Sequence, residues 1–272
     1  MSSSSPEDLG RLSASELITI MLSEPYEDHS RDAIAALQRR GDREVFDQAA
    51  ALCTSPCSLE RMAGAAILGQ LGTPERTFPD ECRRALKAVL ETEDDPGVLT
   101  ATLFALSWQT HPEGPRLALP FRGHPSPDVR KGVAFLLTGS VEPAAVAALI
   151  ELSRDPDEPT RDWATFALGS QISLDTPGIR EALAQRLEDG ELIIRCEAMI
   201  GLGLRHDERA VPAIQAELES GSNEPKLIEA ATYAGDSRLL PALHALAASS
   251  EMEREELDDA IKACSAAGPA AV

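Results

Sequence analysis

The chain has 272 residues and a formal net charge of −20, with 43% apolar, 26% charged and only 4% aromatic residues. That balance excludes a disordered chain, and the abundance of Ala and Leu over aromatics argues for helices rather than a β-sandwich or barrel. Binding to duplex nucleic acid or to anionic membranes relies on Lys and Arg meeting phosphates, so a charge of −20 with no basic run sets both aside as partners.

From the N-terminus, residues 1–12 carry neither a basic segment nor an apolar core and read as a frayed tail rather than a signal peptide. No apolar run approaches the ~20 residues needed to span a bilayer. Ser13-Ala-Ser-Glu16 is a capping box that opens the first helix, and Ser250-Glu-Met-Glu253 is a second one before the last. Between them, residues 13–265 read as a single helical array without a domain boundary, and 266–272 as a second tail. The five cysteines are odd in number and scattered, which suits free thiols in a reducing cytoplasm. Cys53 and Cys57 have the spacing of half a zinc site, but no second pair follows and four ligands are normally needed, so no metal is expected.

A unit of thirty-odd residues recurs along the array. It is clearest from Asp155 through Arg161 to Gly169, and again from Asp189 through Arg195 to Gly203: Arg follows Asp by six residues and Leu-Gly closes the stretch. With Arg as the anchor, equivalent positions fall at Arg31, Arg61, Leu99, Arg130, Arg161, Arg195, Leu227 and Leu257, spaced 30, 38, 31, 31, 34, 32 and 30 residues apart. Three residues past the anchor the side chain is usually small (Gly64, Ala164, Ala198, Ala230). Seven past it stand Leu68, Leu106, Leu137, Leu168 and Leu202. The first unit departs here, with Gln38 and Arg39. Offsets of three and seven share one helix face, so each anchor opens an amphipathic helix. Pro96, Pro127, Pro159 and Pro225 mark the starts of four of them. The Gly eight past the anchor is expected to end the helix or admit a tight turn. A second helical pattern precedes each anchor helix, with Pro212 and Pro241 inside two of them, where proline is expected to bend the helix. Eight helix pairs result, which predicts an all-α chain built as a right-handed α-solenoid.

The proline-bearing first helix, the Asp six residues before Arg and the closing Leu-Gly resemble HEAT repeats, most closely the short bacterial repeats of the phycobilisome-lyase type. The resemblance covers nearly the whole chain. It implies an Asp–Arg ladder between adjacent repeats, with Asp155, Arg161, Asp189 and Arg195 as structural members, and a concave surface lined by the second helix of each pair.

Phe104, Phe135 and Phe166 each stand five past an anchor, while Trp163 stands two and Trp108 nine past theirs. These offsets cluster on a helix face turned away from the small/Leu face, and they gather five of the chain's ten aromatics into the third to fifth pairs. Such rings either fill gaps between successive helices or line a groove for a partner's apolar anchors. Lys131, Asp162 and Glu197 give the groove a mixed rim. No Ser/His/Asp or Cys/His constellation is evident around His111, His124 or His206, and the glycines at 69–72 and 201–203 follow no strand that would make them phosphate loops. No catalytic residue and no cofactor are therefore expected. The function expected is a non-enzymatic, monomeric scaffold or adaptor for a protein partner, a basic one given the charge; a nucleic-acid-binding protein or a toxin met by an immunity-type protein both fit. The resemblance alone adds two alternatives, a tetrapyrrole (bilin) lyase or chaperone and a HEAT-type DNA glycosylase, the latter opposed by the charge.

Overall fold

The computed structural model describes residues 9–23, 28–109, 113–249 and 254–266. Among these residues there are sixteen α-helices and no strand. They fall into two compact units, divided between Leu136 and Leu137.

In the first unit the helix pairs are α1 (Ala14–Ser23) with α2 (Asp28–Arg40), α3 (Arg43–Leu52) with α4 (Ser58–Gly69), α5 (Pro79–Thr92) with α6 (Pro96–Ser107), and the short α7 (Gly114–Ala118) with α8 (Pro127–Leu137). In the second they are α9 (Pro143–Leu152) with α10 (Glu158–Phe166), α11 (Pro177–Arg186) with α12 (Leu192–Gly203), α13 (Ala210–Glu219) with α14 (Pro225–Ala234), and α15 (Leu240–Ser249) with α16 (Arg254–Ala266). Every anchor lies in the second helix of its pair. Within each unit like helices pack on like: α1 on α3 on α5, and α2 on α4 on α6. In the second unit α10, α12, α14 and α16 make the anchor layer, backed by α9 on α11 and α13 on α15. Thr102, Val133, Ala164, Ala198, Ala230 and Ala260, three past their anchors, are fully buried, as are Leu68, Leu137, Leu168 and Leu202 seven past theirs.

Local chemistry sets the helix starts. The Ser13 box forms, with Ser13 N donating to Glu16 Oε2 at 2.7 Å and Glu16 N to Ser13 Oγ at 3.2 Å. Asp95 accepts from the Gly97 and Val98 amides ahead of Pro96, and Asp157 from Thr160 N. The box expected at Ser250–Glu253, like His111, lies outside the described residues.

Two expectations are corrected. Pro212 is the third residue of α13 and Pro241 the second of α15, so both occupy a first turn, where a missing N–H loses no helical bond and no bend is required. Nor do the closing glycines end their helices by adopting positive φ: of those eight past an anchor, only Gly235, at φ 56°, is left-handed. Gly69, Gly169 and Gly203 serve close helix approach instead. A Cβ on Gly169 would lie 2.7 Å from the Glu197 carbonyl oxygen, and one on Gly69 would lie 2.8 Å from Ala105 Cα.

The repeats are joined by arginines that face two ways. Arg161 Nη1 donates to the carbonyl of Asp155 at 2.9 Å, bracing the turn before its own helix. Its Nε and Nη2 reach the next repeat and grip Asp189 at 2.8 and 3.1 Å. Asp155 thus gives this arginine its carbonyl, while the carboxylate comes from one repeat later. Arg61 does the same, with Ser55 O behind it at 2.9 Å and the Glu93 carboxylate ahead at 2.7 and 3.0 Å. Arg195 braces Asp189 O at 2.9 Å and reaches Glu217 at 2.7 Å. Burial alone would raise the Asp189 carboxyl; the Arg161 fork and the Glu191 amide outweigh it and hold it below the usual range.

A second tie runs backwards from ten residues past an anchor. Gln109 donates to the Leu68 and Gly69 carbonyls at 2.8 and 2.9 Å, closing the C-terminus of α4. Arg205 does this for Leu168 and Gly169 at 2.9 and 3.0 Å, and also reaches the carbonyls of Ile172, Leu174 and Gly201. It thereby holds the π-helical turn Ala167–Gln171 that extends α10.

Gly169→Ala is expected to cost about 1–3 kcal/mol through overpacking against Glu197. Gly190→Ala, whose Cβ meets nothing within 4 Å, should stay within about 0.5 kcal/mol. Urea midpoints of the two variants separate these values, and equal losses would contradict the close-approach role.

Candidate functional site

In the first unit, Phe104 on α6 meets Phe135 on α8 edge-on at 4.9 Å between ring centroids, and Trp108 at the end of α6 lies 5.8 Å from Phe135. Phe104 and Phe135 are half-buried. Trp108 is 47% exposed. The rings pack on one another between repeats, and Trp108 leaves an edge facing outward. In front of Trp108 and Phe104 is a groove of ≈ 330 Å³, floored by Ala66, Ala101 and Ala105 and bounded by Arg31 and Gln70. Small side chains at the anchor-helix contacts make this groove, because larger ones would fill it. A recess of ≈ 150 Å³ walled by Met21 and Met62 shares Ile34, Ala66 and Ala101 with it. Lys131 is half-buried and bonded to Asp128 one helical turn back at 2.8 Å.

In the second unit, Trp163 and Phe166 on α10 meet edge-on at 5.7 Å, both half-buried. Beside them, three successive anchor helices each contribute a charge: Asp162 from α10, Glu197 from α12 and Lys226 from α14. Glu197 departs from the exposed rim carboxylate expected of it, being 2% exposed, because the approach of α10 to α12 at Gly169 and Gly201 leaves it little room. It is bonded to Lys226 Nζ and accepts from Ser170 Oγ at 3.2 Å. The Lys226 ammonium also lies 5.7 Å from the Phe166 ring centroid, within cation–π range. Burial alone would lower Lys226, but Glu197 outweighs it and raises it. Asp162 is half-buried, and burial, reinforced by the Glu197 charge, raises its carboxyl above the ordinary value. Lys226 stands one residue before its anchor, outside the repeated motif. A lysine just after the helix-opening proline was its only sequence signal.

Asp155, Arg161, Asp189 and Arg195 lie in the inter-repeat ties described above, not in either aromatic cluster. Cys53 and Cys196 are buried, and burial pushes both thiols up to about 12. Cys57 is exposed. Among the described residues, no three His, Cys, Asp or Glu side chains converge as a metal site, and no helix is long and apolar enough to cross a membrane.

No family model matches the chain. YibA of Escherichia coli strain K12 is 29% identical over 217 residues, covering 76% of this chain and 75% of YibA, and YibA of strain O157:H7 matches equally. The X-ray structure of Escherichia coli YibA aligns over 97% of this chain and 98% of its own, with a TM-score of 0.78 and 24% identity. The chain shares the helical-repeat fold of YibA. Human deoxyhypusine hydroxylase in complex with glycerol is 22% identical over 93% of this chain, but its TM-score of 0.35 is too low to carry a likeness in fold.

Because the folded-state pKa of Asp162 lies above its unfolded value, its ionisation costs stability at pH above the folded value. That cost vanishes below the unfolded value of about 3.9. Asp162→Asn should therefore raise the melting temperature at neutral pH, and the gain should shrink towards zero as pH falls to about 3.9. A variant less stable than the wild type at neutral pH would contradict this assignment.

Proposed function

We propose that this chain is a HEAT-like repeat protein that binds a basic protein partner through its anchor-helix layer and catalyses no reaction. The observation that carries the reading is Trp108, 47% exposed at the lip of a groove and held on its other side by the tilted ring of Phe135. A tryptophan packed on a neighbouring ring with its remaining face open has the character of a binding hot spot: large apolar area and little side-chain entropy left to lose. The net charge of −20 supports a basic partner, since complementary fields speed encounter and reject acidic competitors. The buried, high-pKa thiols support a structural role for those cysteines, in keeping with a reducing cytoplasm.

Placing a photo-crosslinking amino acid at position 108 of the full chain, with the exposed position 141 as a control, tests this in native lysate. The expected result is crosslinks to a basic protein from position 108 and none of that species from position 141. Identical species from both positions, or only acidic ones from 108, would overturn the reading. With the partner in hand, Trp108→Ala should weaken binding by about 2 kcal/mol. Its melting temperature should change little, because nearly half of the side chain is already in water.

A further inference from the structure

We infer that the first unit carries a site for a phosphate monoester, held by Arg84 and Lys87 with Arg83 on the flank of α5. This goes beyond the proposed function and uses neither the groove beside Trp108 nor the charged cluster of the second unit.

The site is a cavity of ≈ 210 Å³ between α5, the end of α6 and the start of α7. Helix lengths open it: α5 has fourteen residues and α7, the first helix of the next pair, only five. Arg83, Arg84 and Lys87 line one side of the cavity, and Leu106 and Leu117 give it an apolar wall. Lys87 stands four residues past Arg83 and three past Arg84, so one helical turn brings all three to the same face.

The first argument is uncompensated charge. Acidic residues outnumber basic ones 45 to 25 in this chain, so a sheltered cation without an acid is the exception. Arg83 is paired with Asp80 through Nη2. Arg84 and Lys87 make no ion pair and no side-chain hydrogen bond among the described residues, although Lys87 is half-buried. Glu81, one turn before Arg84, is taken by Arg43 at 2.8 Å. Glu113 lines the cavity from α7 but is exposed, so water screens it from the cations. Like charges one turn apart repel, and an anion seated between them turns that repulsion into attraction.

The second argument is the match of charge and shape. Two cations without an acid call for a group of charge near two. A phosphate monoester carries about −1.5 to −2 at neutral pH and three strong acceptor oxygens. The Arg84 guanidinium can donate two parallel N–H bonds to two of those oxygens, while Lys87 meets the third as a point charge. A carboxylate has one charge and two oxygens, and would leave one cation unmet. The Leu106 and Leu117 wall receives the carbon side of the ester.

The third argument is selectivity. A net charge of −20 repels anions at long range, so only short paired contacts inside the cavity can hold one.

The full-length protein is titrated by calorimetry in phosphate-free buffer with phenyl phosphate, and with benzenesulfonate as a monoanion on the same ring. The expected result is saturable binding of phenyl phosphate, weakened about tenfold or more by Arg84→Gln and by Lys87→Gln. Arg39→Gln, which removes an equal charge from an exposed position outside the cavity, should leave the affinity unchanged. Equal weakening by Arg39→Gln would reduce the effect to the overall field and overturn the site. Benzenesulfonate binding as tight as that of phenyl phosphate would overturn the assignment to a phosphate monoester. Absence of saturable phenyl phosphate binding would overturn the proposal outright. An acetylated alanine–phosphoserine–alanine amide, titrated alongside, distinguishes the source of the phosphate. Tighter binding than phenyl phosphate points to a phosphorylated protein side chain and weaker binding to a small ester, and either supports the site. Circular dichroism melts confirm that the variants are folded. None of these outcomes depends on the crosslinks made from position 108.

Discussion

The structure depends on one interaction, the guanidinium that faces two repeats at once. A helical-repeat array has no single core to hold its parts in register, so each repeat must be aligned on the next by its own contacts. Packed Ala and Leu faces supply most of the cohesion, but apolar surfaces slide over one another at little cost in direction. Arg161 removes that freedom. One nitrogen is fixed on the turn behind it and two on Asp189 ahead, and a planar fork with five donors is the only side chain able to do both. The pair is sheltered, with the Asp189 side chain 5% and Arg161 17% exposed, so losing either partner would leave a charge with poor access to water. Arg61 with Glu93 and Arg195 with Glu217 repeat the arrangement.

Alignment of anchor helices is what makes a site. Asp162, Glu197 and Lys226 stand one past, two past and one before their respective anchors, and they meet because α10, α12 and α14 are stacked in a fixed register. Close approach of α10 to α12 at Gly169 and Gly201 puts Glu197 out of reach of water, which makes Lys226 and Ser170 its obligatory partners. In the first unit the same stacking, with alanines at the contacts, opens the groove beside Trp108. One layer of helices therefore supplies cohesion on its small-residue face and carries the groove and the charged cluster on the other.

Much of this was legible in the sequence, because the signals are local. The anchor period, the small residue three past it and the first-turn prolines located eight helix pairs, and the offsets of Phe104, Phe135 and Phe166 placed them on one face. What escaped was whatever depends on the next repeat. Glu93 and Glu217 were missed as ladder members because the tie runs forward from Arg61 and Arg195, accepts Glu for Asp, and in Glu217 starts from a different offset. The glycines after Leu looked like helix stops, yet Gly169 is defined by a carbonyl on α12 that no local pattern reveals. Lys226 lies outside the motif, and the burial of Glu197 follows from a neighbour's missing side chain. Arg205 and Gln109, ten past their anchors, share a task but not a chemistry, so comparison of the repeats concealed them.

A double-mutant cycle on Arg161→Met and Asp189→Asn measures the two-way arginine most directly. If the guanidinium joins adjacent repeats as described, the two substitutions are strongly coupled in unfolding free energy, by about 1–3 kcal/mol. Additivity of the two losses to within about 0.5 kcal/mol would show that the repeats are held in register by their apolar faces alone, and would contradict the account.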